Sequence, residues 1–184
     1  YISSPISGGT LPYSGYEYVE STPAWNPLSA GAEMTVGKGY IVQPSVDGYV
    51  TFTGSINTNE PSLTLYRTTG KTKEGFNLVG NPYPSYINWN SLSKTNLMGT
   101  MWYRTKEATA YRFYTYNGTS AGYGDTGVGS PSGVTNLIPP MQAFWVRVDG
   151  ASSGTLGFKR TDRAHQDGVG NTIKAPKASV NKIV

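Results

Sequence analysis

An all-β fold is predicted for this 184-residue sequence by three observations: short alternating or apolar runs, turn dipeptides between them, and the near absence of helical periodicity. Tyrosine (14), glycine (23) and proline (12) are frequent, as expected of short strands joined by tight connections. Charged residues make up only 14%, against roughly 25% in ordinary globular chains.

Taken in order, the strand-like segments are 16–20, 39–44, 49–54, 62–68, 76–80, 100–104, 111–116, 142–148 and 154–160. Asp47-Gly48, Asn117-Gly118 and Asp149-Gly150 suit turns that need positive φ. The best helical window is 88–101, where Trp89, Leu92, Leu97 and Met98 have roughly the right spacing and Asn88 or Asn90 offers a cap. It leaves room for at most one short helix. Many short strands at this spacing predict a β-sandwich or jelly-roll-like fold.

The sequence also repeats itself weakly. Residues 1–7 match 78–85 in pattern, and Gly39-Tyr40-Ile41-Val42 matches Ala143-Phe144-Trp145-Val146. Tyr49–Thr53 and Thr155–Lys159 follow those blocks, and an aromatic strand lies between the blocks in each half. We infer two homologous β-halves, about 1–68 and 75–163, forming either two sheets of one sandwich or two small barrels. Residues 1–165 are expected to form the module. Residues 166–184 lack aromatics and read as a linker or the start of a further domain. Tyr1 opens in strand-like sequence without an initiator methionine, so the chain reads as a piece of a longer polypeptide with more on both sides.

Residues 101–104 and 111–116 should form a hairpin. Tyr111, Phe113 and Thr115 alternate with Arg112, Tyr114 and Tyr116. The first set is expected to face the core, and the second to be half exposed as an aromatic ladder able to stack on sugars. The long Gly/Ser/Thr loop 117–136 contains a single acid, Asp125. Trp102, Tyr114, Tyr116, Asp125 and Trp145 are therefore the candidate ligand-binding residues.

Much chemistry is excluded. With no cysteine, disulfides, thiolate metal sites and cysteine nucleophiles are ruled out. His165 is the single histidine and lies in no metal-ligand spacing. There is no GxSxG elbow, and the acids fall at turns or on exposed strand positions, so no catalytic residue, metal or cofactor is expected. The net charge of +4 owes much to Lys174, Lys177 and Lys182 near the end, and no basic stripe marks a nucleic-acid partner. No run approaches the ~20 apolar residues of a membrane span.

In the segment Phe76-Asn77-Leu78-Val79-Gly80-Asn81-Pro82-Tyr83-Pro84-Ser85, each X-Pro bond confines the residue before it, so this is a rigid strand exit. One of the X-Pro bonds is expected to be cis. With Tyr86-Ile87-Asn88-Trp89 it resembles a block, GWNLIGNPYPSAIDW, of large secreted and surface proteins of Bacteroidetes. Ile138–Arg147 resembles their I-x-P-M-Q-A-F-W-V block, and residues 1–5, 37–40 and 161–165 resemble others in the same order. Phe76 stands where the block usually has Trp, and Asn88 where it has Asp. The resemblance implies an extracellular or outer-membrane-surface location and export by type IX secretion. It brings no established catalytic residues. The expected function is a non-catalytic structural or adhesive module, or alternatively a carbohydrate-binding module, with a hydrolase third. The expected partners are a glycan or another surface protein.

Overall fold

The computed structural model describes residues 1–42, 51–107, 110–124 and 133–165. Among them the regular secondary structure is nearly all strand. β1 (Gly15–Val19) and β2 (Ala24–Leu28) form a hairpin, and β3 (Tyr40–Val42) pairs with β1. β4 (Ser62–Tyr66), β5 (Phe76–Gly80), β6 (Tyr86–Asn88) and β7 (Ser93–Thr95) follow. Then come β8 (Met101–Glu107), β9 (Ala110–Tyr116), β10 (Ala121–Tyr123) and β11 (Leu137–Ile138). β12 (Ala143–Arg147), β13 (Ser153–Gly157) and β14 (Arg163–Ala164) complete the set, with one 3-10 turn at Arg160–Asp162. The sheets run β2-β1-β3, β10-β9-β8-β12-β5, β11-β6-β14 and β4-β13-β7, with every named pairing antiparallel.

The architecture is sandwich-like. On its inner face the five-stranded sheet presents Val79, Met101, Tyr103, Tyr116, Phe144 and Val146. These pack on Ile87, Ile138 and Leu156 from two further sheets and on Trp89, just after β6. The sheets meet through period-2 alternation, since successive residues of a strand face opposite sides. A smaller core, Ile6, Leu11, Met34, Tyr40 and Phe52, lies in the first half.

Pairing recurs along with the sequence blocks. Ile2 bridges Tyr40, and Val79 pairs with Phe144. The bridges then cross over, Ile2 to Gln142 and Val79 to Lys38. The Ser3 amide donates to the Met141 carbonyl (3.0 Å) and the Gly80 amide to the Gly37 carbonyl (2.8 Å). Leu11 N–H donates to Ala32 (2.8 Å) as Trp89 N–H does to Asn136 (2.7 Å). Ile6, Leu11, Met34, Tyr40 and Phe52 are buried in the small core, and Tyr83, Trp89, Ile138, Phe144 and Phe158 in the large one.

Five expectations need correction. The long loop 117–136 contains β10, which pairs with β9. The window 88–101 is not helical: the Ser91 amide closes a turn on the Asn88 carbonyl (3.1 Å), β7 pairs with β13, and Asn96 takes φ 54°. Pairing with a neighbouring strand outweighs the weak helical spacing there. In 49–54, residues 51–54 form no strand, although Phe52 is buried. The peptide bonds before Pro82 and Pro84 are trans. Finally, the faces of β9 are inverted. Tyr116 is opposite Met101 and Tyr114 opposite Tyr103, so these tyrosines share the core face, whereas Tyr111 (63% exposed) and Phe113 (43%) lie outside. The register with β8, whose Met101 and Tyr103 are fully buried, decides this. Asp47-Gly48, Asp125 and the segment 166–184 lie outside the described residues.

The segment GNPYPS acts through close approach. Gly80 sits against Ser3, whose Cβ would lie 2.1 Å from a side-chain Cβ at position 80. Asn81 is fully buried: its Oδ1 accepts from Tyr83 N–H (2.9 Å), and its Nδ2 donates to the carbonyls of Ser85 (2.8 Å) and Pro139 (2.9 Å).

Candidate functional site

The site begins with two hairpins. In β1–β2, Tyr18 is opposite Trp25; in β8–β9, Arg104 is opposite Phe113. Because Tyr16 is opposite Ile41 as Trp102 is opposite Trp145, the two cross-strand pairs hold corresponding positions in the two halves. Both pairs line one half-open groove of about 370 Å³. Its floor is Trp145, only 7% exposed, flanked by Phe76 and Trp102 on the outer face of the five-stranded sheet.

The rings meet edge to face. Tyr18 lies 4.8 Å and Trp25 5.8 Å from Trp145, and Phe76 lies 5.2 Å from Trp102. Such pairs contribute roughly 0.5–1.5 kcal/mol beyond area burial and fix the rings in place. The Tyr18 hydroxyl and Trp145 Nε1 are buried with no hydrogen-bond partner among the described residues, a cost of about 1–3 kcal/mol each. Burial, then the nearby Glu20 charge, pushes the Tyr18 hydroxyl above its ordinary pKa. Burial does the same for Tyr1, against a smaller opposing effect of Arg104, so both remain protonated at neutral pH.

Two cations stand at this groove, Lys73 and Arg104. Arg104 donates from Nη1 to the Tyr1 hydroxyl (3.1 Å) and lies over the Tyr111 ring, 4.4 Å from its centroid. Lys73 has φ 60°, a left-handed conformation that costs a non-glycine residue of order 1 kcal/mol. The turn holding it is closed by Gly70 N–H donating to Glu74 (2.9 Å) and Phe76 N–H donating to the Lys73 carbonyl (3.3 Å).

The acids serve structure. Glu20 is buried and accepts from Thr68 N–H (2.9 Å), Thr68 Oγ1 (2.8 Å) and Gly75 N–H (2.7 Å), tying β1 to the turn before β5. Glu20 also borders a second hollow, of about 540 Å³ along β4 and β5, but those bonds already occupy its carboxylate. Asp162 accepts from Lys159 N–H (2.7 Å), and Glu74 pairs with Arg67 (2.6 Å). That guanidinium, then the Gly70 amide, holds Glu74 below the usual carboxylate range. His165 is exposed. Among the described residues no three of His, Asp and Glu gather as a metal site would require, and no helix is long and apolar enough to cross a membrane.

Of the candidates named from the sequence, Trp102 and Trp145 come together in the groove. Tyr116 is core, 7% exposed, and Tyr114 packs against that core and against Tyr123 (5.6 Å) on the opposite face. Both are thus removed from the stacking role expected of them, because their register with Met101 and Tyr103 turns them inward. Asp125 lies outside the described residues. Sequence reasoning missed Tyr1, Tyr18, Trp25, Lys73, Phe76, Arg104 and Phe113 as groove residues. The available signal was the Tyr16-Glu17-Tyr18 alternation, whose partner strand was hidden by Pro23 and Pro27. β2 is an edge strand, where proline is tolerated.

The fold and site define an all-β module of two similarly paired halves that share one aromatic groove. The chain belongs to the family described as "Domain of unknown function (DUF8693)", whose model matches residues 2–179. No curated protein and no solved structure is similar enough to count as a match.

Proposed function

We propose that this chain is a non-catalytic adhesive module of a larger secreted or cell-surface bacterial protein, and that it adheres by holding a saccharide in the aromatic groove. The observation that carries this reading is the convergence of Tyr18 and Trp25 from one half with Phe76, Trp102 and Trp145 from the other around a half-open hollow. Pyranose rings present apolar C–H faces, and aromatic faces remove that surface from water without requiring charge. The concave, mostly apolar wall with a few polar groups is the usual form of a small-ligand site. The resemblance of the GNPYPS and PMQAFWV blocks to exported Bacteroidetes proteins supports an extracellular setting and type IX export.

A purely structural spacer is the second reading. The edge-to-face packing of Tyr18 and Trp25 on Trp145 favours it, because it uses ring surface to lock the halves together. A glycan array followed by isothermal titration separates the two. The adhesive reading expects retained saccharides, with affinity falling about tenfold or more in Trp102→Ala, equivalent to at least ~1.4 kcal/mol. If the folded chain retains no glycan at all, the spacer reading takes its place.

A further inference from the structure

We infer that the saccharide held in the groove is acidic, its negative group gripped by Lys73 and Arg104; this rests on the saccharide reading above and narrows it. Among the described residues the groove is lined by two cations and no carboxylate. Three described acids near the groove residues in sequence are engaged elsewhere. Glu17, beside Tyr18, pairs with Lys38. Glu74, beside Lys73, is held by Arg67 and by the Gly70 amide, and Glu20, two residues from Tyr18, is held by Thr68 and Gly75. None of these carboxylates is part of the groove wall, so among the described residues the positive charge there is left for a ligand.

The two cations are also prepositioned. Arg104 is held between the Tyr1 hydroxyl and the Tyr111 ring, which reduces the freedom it would lose on binding. A guanidinium so held offers a planar fork to a carboxylate or a sulfate. Lys73 occupies a left-handed backbone position that glycine would fill without strain. A strained lysine persisting at the edge of an apolar groove is accounted for when its ammonium is needed there. The ligand therefore combines an apolar ring face, for Trp102 and Phe113, with a fixed negative group: a uronic acid or a sulfated sugar.

The test uses the full chain on an array carrying uronate oligosaccharides, their methyl esters, sulfated oligosaccharides and neutral counterparts, with hits measured by isothermal titration. Charged members should bind about tenfold or more tightly than their neutral forms, and the advantage should shrink in 1 M salt. Binding of uronates alone or of sulfated sugars alone identifies the source of the charge. Arg104→Gln should cost the charged ligand about tenfold in affinity and leave any methyl-ester affinity unchanged, whereas Trp102→Ala lowers both. Lys73→Gly should lose affinity for the charged ligand while its Tm stays the same or rises, which separates binding from folding. Equal affinity for charged and neutral sugars, or no effect of either cation variant, overturns the acidic assignment and leaves the saccharide reading in place. Retention of no sugar of any kind overturns both.

Discussion

The first and second halves of this chain run the same hydrogen-bonding scheme with different stakes. At the strand exit, Ser4 Oγ accepts from Ile6 N–H (3.3 Å), and at the corresponding place Asn81 Oδ1 accepts from Tyr83 N–H (2.9 Å). Ser4 closes only a local turn, whereas the Asn81 amide reaches on to Ser85, Ile138 and Pro139. Among the described residues the small core has five buried residues and the large one sixteen, one of which, Leu65, comes from the first half. The hairpins differ as well. Where the first half carries Tyr18 and Trp25, the second carries Arg104 and Phe113, and the groove is lined by both pairs. A shared pairing scheme thus supports divergent side-chain work: one half contributes rings, and the other rings and charge.

The largest contrast should appear at the strand exits. Asn81→Ala strands the Tyr83 amide and buried carbonyls and is expected to cost about 3 kcal/mol or more, against about 1 kcal/mol for Ser4→Ala. Urea denaturation reads both, and equal losses would break the contrast. Next come the paired left-handed positions, Gly37 (φ 82°) and Met141 (φ 57°). Gly37→Ala is strained and brings a Cβ to 3.1 Å from Leu63, so it should destabilise by about 1–2 kcal/mol. Met141→Gly relieves backbone strain while losing side-chain packing and glycine's entropy, and should change stability by less than about 1 kcal/mol. A large loss there would show that the Met141 side chain matters more than its backbone.

An effect of opposite sign is expected at Tyr103, whose buried hydroxyl has no partner among the described residues. Tyr103→Phe should stabilise by about 1 kcal/mol. Burial also holds the Tyr103 hydroxyl well above its ordinary range. In the unfolded chain it ionises near pH 10, whereas in the folded chain it stays protonated, so the fold binds more protons above that pH. Stability is therefore fully present below about pH 10 and falls as pH rises beyond it. Thermal melts from pH 8 to 11 should show a steeper alkaline loss for the native chain than for Tyr103→Phe, and parallel curves would argue against this account.

Much of the fold was legible in sequence. Residues 76–80 were read as a strand with the bounds of β5, and 142–148 and 111–116 bracket β12 and most of β9. Gly118 and Gly150 take positive φ in the turns their Asn-Gly and Asp-Gly dipeptides announced. Of the groove residues, the sequence pointed to two. Trp102 and Trp145 stood out because tryptophans on strands are conspicuous, whereas nothing in the local sequence of Lys73 or Arg104 marks them. Trp25 was lost because a proline-flanked segment does not read as a strand until the edge it occupies is known.

By itself, then, the sequence determined what is local: the strand class, the positions of the turns, and the rigid exit at Gly80-Asn81-Pro82. These follow from period-2 alternation and from backbone preferences that each residue carries with it. Tertiary structure alone decided which face of the β8–β9 hairpin is inside, since Tyr111 and Phe113 are no less apolar than Tyr114 and Tyr116. Only the register that places Tyr116 opposite the buried Met101 breaks that tie. The groove belongs to the same category, because Tyr18 and Trp145 are 127 positions apart in the chain and their rings meet only when the two halves are packed together.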